Sequence, residues 1–528
     1  MLRTHGLQAT AQVALQALAD GVEHPSVLNI AASAHYREGR IEQASQLLRR
    51  ARVLAPKDPH VLNSLGVCLR ALGRTEEALE AYGAAAKADP TMAPAHFNRG
   101  AVLRDLSDVS GARAAYQRAA ELDPNYLEPI AALAALDAQA GDAASARSIA
   151  MRVLAREPSN LSARIALASA DLQEGDCTAA AERLSTLRQD PALTPVNRSI
   201  VFGIIGDLED AEGRPADAFA AYAASNAELK ALNAPRYEAA GMKRPLEIVR
   251  ELIAWFEAAD PKPWREASVA RPRAADPKAH VFLVGFPRSG TTLLENVLAA
   301  HPEVASLEEK DCLQTVAQPY LTSGGLERLA RIGATEAARQ RDSYWSRVRA
   351  FGVEPRGKVF IDKMPLSSVL LPAVAKLFPD ARILFARRDP CDVVLSCFRR
   401  RFGMNPSMYQ LLTLDGAAAY YDAVMRLSEI YRDLLTVPQH LVRYESLVED
   451  FEGTARAACD FLGLEWDQAM LDFAAKARSR GISTPSAAQV ARGLNREGQG
   501  AWRRYAEQMA PVLPLLEPWV ERFDYASE

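Results

Sequence analysis

The sequence predicts two unlike folding units in series: an α-solenoid of stacked helical pairs, then a three-layer α/β domain built on a parallel sheet. Three observations predict this. Proline recurs at Pro56, Pro90, Pro124 and Pro158, a spacing of 34 residues held three times in succession. From Ala279 onward the alanine-dense repetition stops, and short β-branched and aromatic runs alternate with helical patterns. At 528 residues the chain is also longer than one hydrophobic core usually fills.

Within the solenoid, Ala44, Ala78, Ala112 and Ala146 keep the same register as the prolines. Leu48, Tyr82, Tyr116 and Ala150 follow them by four residues, and Ala51, Ala85, Ala119 and Val153 by seven, which puts all three positions on one helical face. Gly66 and Gly100 stand twelve residues before their unit's alanine, where a small residue lets two helices approach closely. Segments such as Leu72-Gly73-Arg74 and Ala140-Gly141-Asp142 break each unit into two helices. Four clear units cover about 25 to 158; looser ones follow around Ala180 and around Ala218 and Tyr222, about six in all. This pattern resembles tetratricopeptide repeats, which stack into a superhelix whose concave surface holds a peptide or protein.

The predicted domains are 1–235 (repeats), 236–278 (a helix, EIVRELIAWFEAAD, and a Pro- and Ala-rich connector) and 279–528. In the last, the runs 280–285, 358–362, 381–387 and 440–444 read as strands, each separated from the next by a helical pattern, as parallel strands with crossover helices require.

Composition excludes several classes. The 62 basic and 66 acidic residues nearly balance, leaving a formal charge of -4 and no global reason to expect nucleic acid or a membrane surface. The six cysteines form no CxxC pair and accompany no histidine cluster, so neither a zinc site nor a disulfide framework is expected. The opening stretch reads as an amphipathic helix rather than a signal peptide, and no apolar run reaches the roughly 18 to 20 residues of a membrane helix, so a cytoplasmic location is expected.

The segment Gly285-Phe286-Pro287-Arg288-Ser289-Gly290-Thr291-Thr292 joins a strand to a helix through a glycine-bracketed turn. Backbone N–H groups and the positive helix end converge there, which suits a phosphate. Its frame is that of a nucleotide P-loop, but Thr291 stands where the lysine would be and the cation has moved to Arg288. A second element, Arg388-Asp389-Pro390-Cys391-Asp392-Val393-Val394-Leu395-Ser396, follows the 381–387 strand, with Pro390 placed to open a helix and Arg388 and Ser396 able to reach a phosphate.

Together the two segments resemble the 5'-phosphosulfate loop and the 3'-phosphate element of sulfotransferases. That resemblance implies 3'-phosphoadenosine 5'-phosphosulfate as donor, adenosine 3',5'-bisphosphate as product, no metal, and Pro287, Arg288, Ser289, Gly290, Thr291, Thr292, Arg388 and Ser396 as nucleotide ligands. Leu441 to Leu447 is similar to the family's V-R-Y-E-x-L turn, which puts Tyr444 beside the nucleotide. Asn495 to Arg503 partly resembles the R-K-G-x-x-G-D-W-K loop: Asn495, Glu497 and Ala501 depart from it, while Arg496, carried over as a 3'-phosphate ligand, fits.

His301-Pro302 through Glu308-Glu309 resembles the corresponding stretch of tyrosylprotein sulfotransferases, which implies Glu309 as general base with Glu308 as the alternative. Asp362-Lys363-Met364-Pro365 is similar to the N-K-x-P turn, so Lys363 joins Arg288 in stabilising the leaving phosphate. Those relatives carry an arginine two positions past the base that recognises acidic residues around the target tyrosine; here that position is Asp311. The resemblance thus implies sulfuryl transfer to a hydroxyl, either a tyrosine of a peptide or protein held by the repeats or a small-molecule, lipid or glycan hydroxyl. A repeat scaffold with an inactive nucleotide-binding domain, and use of the repeats to form a homodimer, stay open.

Overall fold

Alternating helices and short connections dominate the first two hundred residues, and the reason is visible in which side chains they bury. The computed structural model describes residues 2–106, 108–266, 277–480, 493–494, 496 and 498–525. These fall into two compact units, 1–183 and 184–528.

In the first unit, helical pairs Pro25–Arg37 with Ile41–Leu54, Pro59–Ala71 with Thr75–Ala88, Ala93–Asp105 with Val109–Leu122, and Leu127–Ala140 with Ala143–Leu154 follow the 34-residue register. Ala44, Ala78, Ala112 and Ala146 are wholly buried, and the residues four and seven further on are buried with them. Gly66 explains the close approach within a pair: a Cβ there would lie 2.6 Å from the Tyr82 ring, and Gly100 meets Tyr116 in the same way at 2.7 Å. Side-chain caps start the helices where the sequence supplies Asx residues, as at Asp58, Asp108, Asp142 and Asn160.

The second unit begins with another such pair, Pro195–Ala211 and Pro215–Tyr237, in which Gly206, Ala218 and Tyr222 repeat the same offsets and the Tyr222 ring lies against Gly206. The helix Pro245–Ala258 follows, matching the one expected in the connector; residues 267–276 of that connector lie outside the described residues. Then comes a five-stranded parallel sheet: β1 (Ala279–Gly285), β2 (Val304–Glu308), β3 (Val359–Lys363), β4 (Arg382–Arg387) and β5 (Gln439–Arg443), in the order β2-β3-β1-β4-β5. Four strands lie where the sequence places them. The edge strand β2 was not anticipated, because VASLE is short and only Val304 and Leu307 are buried.

Each face of the sheet is covered, giving three layers. Val281 and Leu283 pack on one side with Leu293, Leu294 and Val297 of the helix Thr291–Ala299. Phe282 and Val284 pack on the other with Val393, Val394 and Cys397 of the helix Pro390–Arg399. The helices that follow the neighbouring strands β1 and β4 therefore leave to opposite faces, and a crevice opens between the two strand ends, where open α/β sheets collect ligands.

Candidate active site

The β1 turn is shaped by its backbone. Arg288 has φ 71° and Gly290 φ 91°, both left-handed, and a Cβ on Gly290 would lie 2.8 Å from Tyr444 Cδ2. A non-glycine residue held left-handed costs on the order of 1 kcal/mol and clusters at ligand clamps. The result folds Arg288 inward: its side chain is buried, and its Nε donates to Ser396 Oγ at 3.0 Å. Burial first, and then the charges of Arg400 and Arg388, push its guanidinium well below the usual arginine range. An anion in the crevice would relieve that cost. Ser289, Thr291 and Thr292 are buried around the start of the Thr291–Ala299 helix, and Pro287 O accepts from Cys397 Sγ at 3.3 Å.

Arg388 lies directly beside this loop. Its Nη1 donates to Arg288 O at 3.2 Å, its Nη2 to Gly498 O, and its guanidinium stacks over the Tyr444 ring at 4.8 Å. Its Nε is buried with no hydrogen-bond partner among the described residues, the kind of orphaned donor that a bound phosphate would satisfy. Asp389 caps the helix Pro390–Arg399 by accepting from Cys391 N and Asp392 N at 2.8 and 2.9 Å. Glu445 accepts from Asp389 N at 3.0 Å and from Tyr525 OH at 2.9 Å, tying the chain's last described residue to the start of that helix.

Asp392 faces the segment after Gly498 and accepts from Gly500 N at 2.7 Å and Trp502 N at 2.9 Å. Burial, only partly offset by Arg388, pushes its carboxyl up to about 6. Arg496 is exposed on the same segment, and Asn495 and Glu497 lie outside the described residues. Sequence reasoning assigned no role to Asp389, Asp392 or Glu445. For Asp389 a signal existed, an Asp directly before a helix-opening proline.

At the end of β3 a second charged cluster forms. Lys363 is fully buried, with Nζ 2.7 Å from Glu309, 3.4 Å from Glu308 and 3.8 Å from Glu295. Burial alone would lower its ammonium, but the three carboxylates outweigh it and hold Lys363 above the ordinary lysine range. Glu308 and Lys363 are register partners across β2 and β3, and Glu309 N donates to Lys363 O at 2.8 Å one residue beyond, where Glu309 turns to φ 46°. Of the three carboxylates Glu309 is the most accessible: 34% of its side chain is exposed, against 14% for Glu308 and 1% for Glu295. Glu295, on the Thr291–Ala299 helix, went unnoticed in the sequence because a lone helix carboxylate carries no motif. His301 is committed to backbone, with Nδ1 accepting from Glu303 N at 3.0 Å and Nε2 2.9 Å from Glu465 O.

A parallel sheet in this order, with a glycine-bracketed turn on the central strand and a capped helix on its neighbour, defines the P-loop-like class of α/β domain. Residues 280–468 match the Sulfotransferase family, and residues 31–93 and 65–126 match the Tetratricopeptide repeat. The chain thus carries a sulfotransferase-family domain behind tetratricopeptide repeats. It is similar to an uncharacterized protein of Aquifex aeolicus, 25% identical over 268 residues that make up 47% of this chain and 33% of that protein. It is also similar to the protein-tyrosine sulfotransferase of Drosophila melanogaster, 28% identical over 273 residues, 47% of this chain and 53% of the relative. The matched stretch therefore spans only a third to about half the length of these two relatives. Among solved structures, a tetratricopeptide repeat protein from Parabacteroides merdae aligns with 44% of this chain and 91% of its own at 18% identity and a TM-score of 0.33.

Among the described residues no group of three or more His, Cys, Asp or Glu side chains is arranged to hold a metal ion, and no helix is long and apolar enough to cross a membrane.

Proposed function

We propose that the chain is a sulfotransferase that moves the sulfuryl group of 3'-phosphoadenosine 5'-phosphosulfate to an acceptor hydroxyl, with 279–528 as the catalytic part, 236–278 as connector and 1–235 as the repeat array. The observation that carries the reading is the direct link between the two cradles: Arg288 of the β1 loop bonds Ser396 of the β4 helix at 3.0 Å, while Arg388 bonds Arg288 O. Two basic groups converging from adjacent strand ends suit a ligand phosphorylated at two places.

In this reading the loop Pro287 to Thr292 holds the 5' side through backbone N–H groups and Arg288. Arg388, Ser396 and Arg496 hold the 3'-phosphate, and Tyr444 borders the nucleotide. The donor supplies an activated sulfuryl group. Glu309, the accessible carboxylate, takes the acceptor's hydroxyl proton, and Lys363 and Arg288 hold the negative charge left on the departing phosphate oxygen. No metal is required in this scheme, the enzyme is read as cytoplasmic, and the nearly balanced charge gives no global reason to expect nucleic acid. The repeats recruit a peptide or protein, a tyrosine among the candidate acceptors. Asp311 favours a second acceptor class, since a carboxylate at that position repels an acidic peptide and suits a small-molecule, lipid or glycan hydroxyl.

Incubation with the donor and candidate acceptors, followed by mass spectrometry, tests the reading. An acceptor gaining the mass of one SO3 group with wild type and not with Glu309→Ala, which keeps its affinity for the bisphosphate product, is the expected result. Undiminished transfer by Glu309→Ala would remove Glu309 from the mechanism.

A further inference from the structure

In the repeat pair that opens the second unit, one carboxylate reaches the helix Pro390–Arg399. Asp210, one residue from the end of Pro195–Ala211, has only 14% of its side chain exposed. Its Oδ1 accepts from Tyr505 OH at 2.7 Å and lies 2.9 Å from Arg504 Nη1, while its Oδ2 accepts from Arg399 Nη2. Arg399 is itself layered between two aromatic rings, Tyr222 at 5.1 Å and Tyr505 at 5.3 Å.

Arg399 closes the helix Pro390–Arg399, one turn beyond Ser396. Tyr505 closes the turn Ala501–Tyr505, whose beginning is held by Asp392 and which follows Gly498, the acceptor for Arg388. The 498–505 segment is therefore clamped at Gly498, at Gly500 with Trp502, and at Tyr505. The first two clamps come from the candidate 3'-phosphate element and the third from the repeat pair. A buried carboxylate serving two arginines and a phenol gains little net stability over apolar packing, and fixing one geometry is its best-attested use.

We propose that Asp210 is a positioning residue for the 3'-phosphate cradle, so that the last helical pair of the solenoid is a working part of the transferase domain. The proposal rests on the nucleotide reading above.

Calorimetry with adenosine 3',5'-bisphosphate and hydrogen exchange of the 498–505 peptide, both on the full chain, test it together. Asp210→Ala is expected to bind on the order of tenfold more weakly, as loss of a charge-assisted network would give, and to exchange faster at 498–505. Ser199→Ala removes two other bonds of the same repeat pair, the one from Arg401 Nε at 3.1 Å and the one with Ser225 Oγ at 3.1 Å, and is expected to change neither. Asp210→Asn, which keeps an oxygen for Tyr505, should fall between, and with Tyr505→Phe it carries the test if the alanine variant does not fold. Wild-type affinity and exchange in these variants, or equal losses in Ser199→Ala, would overturn the proposal. Failure of the wild type to bind the nucleotide would instead bring down the function itself, while the exchange comparison would still report whether Asp210 holds the segment.

Discussion

Replacing Lys363 with methionine removes one ammonium from three carboxylates and leaves its hydrocarbon volume nearly intact. At an effective dielectric near 20, each contact between 2.7 and 3.8 Å corresponds to roughly 4–6 kcal/mol of gross attraction. Desolvation of the four groups offsets most of that sum. What remains on deletion is the cost of removing one partner from a buried charge cluster, about 3–5 kcal/mol, of which Glu309 carries least because it can turn to water. The sign with pH follows from linkage. Without Lys363, a buried carboxylate is held above its unfolded value, so the variant keeps its stability at low pH, where a proton substitutes for the ammonium, and loses it as pH rises. Urea unfolding of wild type and Lys363→Met at several pH values measures this. A loss under about 1 kcal/mol that does not grow with pH would refute the view that Lys363 is the charge centre binding β2, β3 and the Thr291–Ala299 helix together.

Three further outcomes are expected. Burial raises the Asp362 carboxyl to about 7, although Tyr344 OH donates to its Oδ2 at 2.7 Å, so its contribution to stability is present below its unfolded value and is lost as pH rises towards 7; melting temperatures of Asp362→Asn should show a smaller drop between pH 5 and pH 8 than wild type. Ser396→Ala removes the hydroxyl assigned to the 3'-phosphate and should weaken adenosine 3',5'-bisphosphate about tenfold, and AMP by much less, as read by calorimetry. Gly290→Ala combines a left-handed backbone with a Cβ 2.8 Å from Tyr444 and should cost roughly 1–3 kcal/mol in unfolding experiments and a larger factor in nucleotide affinity.

Much of this architecture was legible before any coordinate. The prolines and alanines at 34-residue spacing describe a helix-pair face, and that face is the one buried, because a solenoid repeats its packing as it repeats its sequence. The two candidate cradles were readable as strand-to-helix turns since strand, turn and helix are contiguous in each. β2 escaped notice because an edge strand of five residues needs little hydrophobic pattern. Glu295 and Asp210 escaped for a different reason: their roles are made by partners such as Lys363, 68 positions away from Glu295, and Tyr505, 295 positions away from Asp210, and no local pattern encodes such a pairing. Gly206 could have been found, as it stands twelve residues before Ala218 just as Gly66 stands before Ala78.

The proposed function requires the crevice between β1 and β4 to recognise phosphate at both ends of one ribose. Titration calorimetry of the full chain with adenosine 3',5'-bisphosphate and with AMP, without added magnesium, measures this directly. The bisphosphate is expected to bind at least about tenfold tighter, the least that one well-placed charged phosphate contact should add. Equal affinities, or a preference for ATP that requires magnesium, would contradict it.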